Sequence, residues 1–178
     1  MNPTETQQAQ DERFMKEALR QAKKAASIGE VPVGCVIVRD GVIVSRGYNR
    51  REIDGNALAH AEIRAIDRAC KRLGGWRLWQ CDLYVTLEPC LMCSGAIVNA
   101  RLRRVVYGAS DNKNGALSGL TLAGQYQPEI VSGICQEPCT AVLKDFFAAM
   151  RARRAAESEQ RAPLFPAAAE VPVQRDEP

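Results

Sequence analysis

Two short stretches restrict the folds open to this chain more than anything else in it: His60-Ala61-Glu62 and Pro89-Cys90-Leu91-Met92-Cys93. One imidazole and two thiols offer three ligands to a metal. Three protein ligands leave one position open in a tetrahedral zinc shell, as expected of a catalytic site rather than a structural one. The fold therefore has to bring two separated segments to one point, and their local spacing indicates how. In mid-helix, residues two apart point to different faces, so His60 and Glu62 share a site only if His60 stands at a helix boundary. Cys90 and Cys93 are three apart and lie on one face of a first helical turn, which Pro89 suits. There both the helix dipole and a cation favour thiolate. We expect two helix starts to converge on one zinc ion, held by His60, Cys90 and Cys93, with Glu62 as the catalytic carboxylate. Two thiolates cancel the charge of Zn²⁺ and leave its water less acidified than three neutral imidazoles would, so a nearby proton acceptor becomes necessary.

Other readings of these residues remain. A Cys-x-x-Cys alone also fits a redox pair or half of a structural zinc site. His60 is the chain's only histidine, and a structural site would need a fourth ligand that no companion Cys-x-x-Cys supplies. Cys135 and Cys139 are spaced to bind metal, but they flank Pro138 and read as core or surface thiols. Cys35, Cys70 and Cys81 lie in apolar runs, where a buried reduced thiol is the default.

Around the two stretches the pattern alternates between helix and strand. Phe14, Met15, Ala18, Leu19, Ala22, Ala25 and Ala26 recur at helical spacing from Asp11 until Gly29. Val33 to Val38 and Val42 to Val44 read as two strands around the Asp40-Gly41 hairpin turn. Asn49 to Leu58 reads as loop. Ala59 to Leu73 is helical, with Ile63, Ile66, Ala69, Cys70 and Leu73 as its buried stripe. Leu83 to Leu87 is a strand, Cys90 to Ala100 a helix, and Arg103 to Tyr107 a strand. Ala116 to Ala123 suggests a helical turn or two, Glu129 to Ser132 a short fifth strand, and a last helix runs from Cys135 into Arg151, Arg153 and Arg154. The result is an α/β chain: a three-layer α/β/α sandwich around a central mixed five-stranded sheet.

Composition sets the outer limits. A length of 178 residues with 46% hydrophobic content suits one globular domain. We expect a flexible N-terminus over 1–10, the folded domain over 11–160, and a disordered Pro- and Ala-rich tail over 161–178. No apolar run approaches the roughly 18 residues that span a membrane. Seven cysteines is an odd count, and the first residues have neither the basic start nor the apolar run of a secretory signal, which favours the reducing cytoplasm. A formal net charge of +3 permits a polyanionic partner without requiring one.

His60-Ala61-Glu62 with Pro89-Cys90-x-x-Cys93 resembles the signature of the zinc nucleobase deaminases. The similarity extends to Glu30-Val31-Pro32-Val33-Gly34, Tyr48-Asn49-Arg50, Ala59-His60-Ala61-Glu62-Ile63, Thr86-Leu87-Glu88-Pro89-Cys90, Tyr107-Gly108-Ala109 and Asp145-Phe146-Phe147. These stretches look like those of the bacterial tRNA-specific adenosine deaminases within the cytidine and deoxycytidylate deaminase superfamily. The resemblance implies conversion of adenosine to inosine at the wobble position of a tRNA anticodon stem-loop by a homodimer. It implies that Glu62 passes a proton from water to ring N1 as C6 is attacked and then assists loss of ammonia. It also implies that Asn49 hydrogen-bonds the base, the backbone at Ala61 and Leu87 reads its edge, Val33 walls the pocket and Asp111 lies near the substrate backbone. Read without it, Asn49 is a loop-ordering residue, Val33 core and Asp111 an ordinary loop residue. Arg151, Arg153, Arg154 and Lys144 are candidates for phosphate contacts or a solvated helix end. Ala96, Ile97 and Val98 are candidates for a dimer interface or for core. The chain departs from the family between Lys113 and Val131, where Asn114 to Ile130 is short and holds no histidine. A free guanine or cytosine deaminase, and a non-catalytic RNA-binding module with structural zinc, are the alternative readings.

Overall fold

The computed structural model describes residues 6–117 and 126–159. Its elements run α1 (Gln7–Ser27), β1 (Gly34–Arg39), β2 (Val42–Tyr48), α2 (Ala61–Leu73), β3 (Cys81–Leu87), α3 (Leu91–Asn99), β4 (Arg104–Ala109), β5 (Glu129–Ser132) and α4 (Gln136–Glu159). The strands form one sheet in the order β2-β1-β3-β4-β5. β1 pairs antiparallel with both β2 and β3, whereas β3–β4 and β4–β5 are parallel. The expected mixed five-stranded sheet is what forms. Parallel pairs need crossover connections, which α3 supplies between β3 and β4.

The side-chain period of two sorts the sheet into two cores. Cys35 and Ile37 of β1, Leu83 and Val85 of β3, and Val105 and Tyr107 of β4 face one side, against Ala61, Ala65 and Ala69 of α2 and Ile97 of α3. Val36, Val38, Tyr84 and Val106 face the other, with Phe14, Met15, Ala18 and Leu19 of α1 and Cys139, Val142 and Leu143 of α4. Strands covered on both faces read as continuous apolar runs instead of alternating ones. This is why Val33 to Val38 looked unbroken in the sequence.

Two expectations are corrected. The first helix starts earlier than Asp11: α1 begins at Gln7, where the Thr6 hydroxyl accepts a hydrogen bond from Ala9 N at 3.3 Å and caps the helix. The buried stripe of α2 is centred on Ala61, Ala65 and Ala69, with Ile66, Cys70 and Leu73 packing at its margin. The reason is close approach, since a Cβ on Gly47 of β2 would overlap the Ala61 carbonyl oxygen and the Ala65 nitrogen. Only small residues fit there. Of the two readings of Ile97 and Val98, interface or core, core is the one that holds, at 0% and 3% exposure.

The turn Asp40-Gly41 has positive φ at both positions, 51° and 74°, as a type I′ hairpin requires. The helical turn expected over Ala116 to Ala123 lies mostly outside the described residues, as does the tail from 161. The chain divides into two compact units, residues 1–146 and 147–178. In the second, residues 147–159 are helical, and the side chains of Arg151, Arg153 and Arg154 are exposed, with Arg153 paired to Glu157 at 3.4 Å. No described helix is long and apolar enough to cross a membrane.

Candidate metal centre and active site

His60 and Cys90 occupy equivalent positions, each the N-cap of its helix, at φ −71°, ψ 154° and φ −71°, ψ 172°. An N-cap side chain ordinarily accepts a hydrogen bond from the first turn. Neither of these does, which frees both to turn towards each other. The His60 Nδ1 lies 3.7 Å from Cys90 Sγ and 3.5 Å from Cys93 Sγ. Zinc bonds of about 2.3 Å to sulfur and about 2.0 Å to nitrogen, at the tetrahedral angle, put N and S about 3.5 Å apart. The three donors fit one zinc ion, and among the described residues they are the group of three or more metal-binding side chains that converges.

The electrostatics agree with the geometry. Glu62, in the first turn of α2, is 4% exposed. Burial pushes its carboxyl above the ordinary value, partly offset by hydrogen bonds from its own backbone and from Cys93. Burial likewise pushes the Cys93 thiol up, helped by the charges of Glu62 and Cys90. Burial holds the His60 imidazole below its usual 6.5, with the positive charge of Arg51 adding to the effect, so His60 is neutral, the form that ligates metal. Two acidic groups buried side by side call for a cation. Two helix N-termini aimed at the same point supply part of that charge, and a divalent ion suits the rest.

The remaining site residues sit around this centre in different ways. Asn49, 7% exposed, follows β2; its backbone N–H donates to Val33 O at 3.0 Å and its Nδ2 to Glu30 Oε2 at 3.0 Å. Arg50 N donates to Ala59 O at 3.0 Å, which closes the loop and brings Asn49 beside the chain leading into His60. Val33 packs at the edge of the core on the α2 face. Ala61 is the first residue of α2 and fully buried. Leu87 ends β3 with its side chain in the opposite core, leaving its backbone at the site end of the strand. Asp111 is committed locally: its Oδ1 accepts from Lys113 N and Asn114 N at 3.0 and 3.1 Å, shaping a turn.

Sequence reasoning missed two carboxylates. Glu30, 0% exposed, appeared only inside a motif. Glu88, 7% exposed, accepts from Asp111 N at 3.2 Å, while Ala116 N donates to Pro89 O at 3.0 Å, so the segment after β4 is fastened along Glu88-Pro89-Cys90. In each case the available signal was an acidic residue embedded in an apolar stretch, which rarely stays buried without partners.

The family model for the cytidine and deoxycytidylate deaminase zinc-binding region matches residues 8–109. A tRNA-specific adenosine deaminase of Bacillus subtilis (strain 168) is 48% identical over 152 residues, covering 83% of this chain and 94% of the relative. One of Rickettsia bellii (strain RML369-C) is 49% identical over 144 residues, covering 77% of this chain and 99% of the relative. A solved structure from studies of A-to-I editing by tRNA:A34 deaminases superposes with a TM-score of 0.71 at 42% identity, covering 74% of this chain and 99% of that one.

Proposed function

The chain belongs to the cytidine and deoxycytidylate deaminase zinc-binding family, among the tRNA-specific adenosine deaminases, and from that membership we propose that it converts adenosine to inosine at the wobble position of tRNA anticodons. The reaction adds water at C6 of the purine and releases ammonia. The observation that supports it best is the meeting of His60, Cys90 and Cys93 beside the buried Glu62. When bound, zinc supplies the Lewis acidity that makes water a competent nucleophile near neutral pH.

The chain's own residues carry the rest. Glu62, its carboxyl raised by burial, takes a proton from the attacking water and delivers it to ring N1, then takes the second proton from the new C6 hydroxyl and passes it to the departing amine, so that the C6–N bond breaks, ammonia leaves and the C6 carbonyl forms. Burial makes this carboxylate a stronger base towards water than an exposed one, which suits it to proton transfer. Asn49 hydrogen-bonds the base, Val33 walls the pocket, and the backbone at Ala61 and Leu87 reads its edge, while Asp111 shapes the rim. The base must leave its stack to reach this recess, which an anticodon loop allows at low cost. Exposed Arg51 stands near enough to His60 to affect its protonation and is placed to meet a phosphate. We propose a homodimer in which Leu91, 67% exposed and next to Cys90, lies in the interface. The seven free thiols suit the reducing cytoplasm.

The test offers an anticodon stem-loop with adenosine at the wobble position beside free guanine, cytosine and adenosine. Inosine in the RNA alone is expected. Activity confined to a free base would overturn the substrate in favour of a free-base deaminase. In parallel, Glu62→Ala should retain zinc and fold while losing at least about 10²- to 10⁴-fold in kcat. Unchanged ammonia release would leave the metal a structural role only.

A further inference from the structure

We propose that Glu30 is a positioning residue for the base pocket, holding the Asn49 side-chain amide in one orientation and tying it to the loop that leads into His60. The proposal rests on the reading of Asn49 as a base contact given above. Glu30 lies beyond the end of α1, is 0% exposed, and uses both carboxylate oxygens. Oε2 accepts from Asn49 Nδ2 at 3.0 Å, and Oε1 accepts from Ile53 N at 2.8 Å. Both donors are neutral.

Both Glu30 oxygens accept, so the carboxylate presents an acceptor and no donor to Asn49. The Asn49 amide therefore has to turn its NH₂ group to Glu30, and its Oδ1 is left for the other side, with one further N–H. An amide oxygen and nitrogen have nearly the same shape, so packing alone does not choose between the two flips. The partner's chemistry does. Glu30 decides which hydrogen-bonding groups Asn49 offers to a base. The same carboxylate fixes the loop: Ile53 is held to it, and Arg50 N to Ala59 O closes the far end at 3.0 Å. Asp54, in the next position, accepts from Arg50 and from Arg64 of α2, both at 2.8 Å. Asn49 and His60 are thus held in register through a short closed loop with Glu30 at its centre.

Glutamine at position 30 keeps the volume but offers only one acceptor oxygen. If that oxygen keeps Ile53 N, its NH₂ faces Asn49, and Asn49 must flip. The experiment is a double-mutant cycle of Glu30→Gln and Asn49→Ala in the zinc-loaded full chain, reading kcat and KM on the anticodon stem-loop, zinc content and thermal midpoint. Glu30→Gln alone is expected to lower kcat/KM by about tenfold or more with zinc retained. In the Asn49→Ala background the same change should alter kcat/KM by less than about twofold, while its effect on the thermal midpoint persists in both backgrounds. An equal loss of kcat/KM in both backgrounds would overturn the proposal and make Glu30 a loop anchor only. An Asn49→Ala variant with unaltered kinetics would instead remove the base-contact reading itself. Should Glu30→Gln not fold, side-chain NMR of the ¹⁵N-labelled wild type decides: slow exchange of an Asn49 NH₂ proton supports the proposal, and exchange at the rate of a free amide overturns it.

Discussion

At the scale of single residues, the metal centre is the part of this protein most legible in the sequence. Its ligands are chemically rare, closely spaced, and attached to helix starts that local pattern marks. His60 and Cys90 turned out to be the N-cap residues themselves, which is why His60 can share a site with Glu62 despite their separation by two. Cys93 is fully buried, and burial raises its thiol pKa strongly, so a thiolate there calls for a cation beside it. Cys93→Ala should accordingly lower zinc affinity by more than the roughly 10- to 100-fold typical when a hydrogen-bond partner of a ligand is lost. Metal analysis after dialysis against a weak chelator checks this. Near-stoichiometric zinc in that variant would mean that Cys93 is not a ligand. Glu30 was not legible as a pocket residue, because its role depends on what faces it and not on its neighbours in the chain.

At the scale of elements, the placement of α2 decides whether ligand and carboxylate reach the site. Helix and sheet approach so closely that Gly47 faces the Ala61 carbonyl oxygen, and Gly34 likewise faces the Ala18 carbonyl oxygen of α1. Backbone on both sides leaves little room for relaxation. Gly47→Ala and Gly34→Ala should each cost about 1–3 kcal/mol in urea unfolding, as overpacking does. Only the first should also weaken zinc binding, since α2 carries Glu62 and follows His60 while α1 carries neither. Equal zinc affinity in the two variants would show that α2 can shift without moving the ligands. Helix positions and strand types were readable from periodicity. The alanine stripe of α2 was not, because small residues give a weak hydrophobic signal even when they mark the tightest packing.

At the scale of the whole described structure, one polar cluster ties distant segments together. Asp11 of α1 receives both Arg104 Nη1 and Nη2, at 2.7 and 2.8 Å, and the Tyr84 hydroxyl at 2.9 Å; Arg104 Nε also reaches Glu129 of β5 at 3.0 Å. One helix and three strands meet there. Burial opposes ionisation of Asp11, but hydrogen bonds from Arg104, Tyr84 and Gln7 outweigh it and hold the carboxyl below 3.8. A folded pKa below the unfolded one adds stability that is complete above the unfolded value and disappears as pH falls through the folded one. The difference in unfolding free energy between wild type and Asp11→Asn should therefore be constant near neutrality and shrink below about pH 4. Taking the difference cancels any release of zinc. Near pH 7 the variant should lose about 3 kcal/mol, the low end for breaking a buried pair, because Glu129 still meets Arg104. A loss independent of pH would show that Asp11 contributes through packing and not through charge.

By itself the sequence determined the three side chains that converge to hold a metal, the helix and strand types, the antiparallel hairpin and the mixed sheet, since these follow from chemistry and periodicities that act over a few residues. Only the tertiary structure decided which buried polar groups meet: Asp11 with Arg104, Glu88 with the Asp111 backbone, Glu30 with Asn49. It also assigned Ile97 and Val98 to the core. The physical reason is range. Caps and amphipathic periods are written locally, whereas a hydrogen bond between residues far apart in the chain exists only after the sheet has brought its strands together and excluded the water that would otherwise satisfy each group.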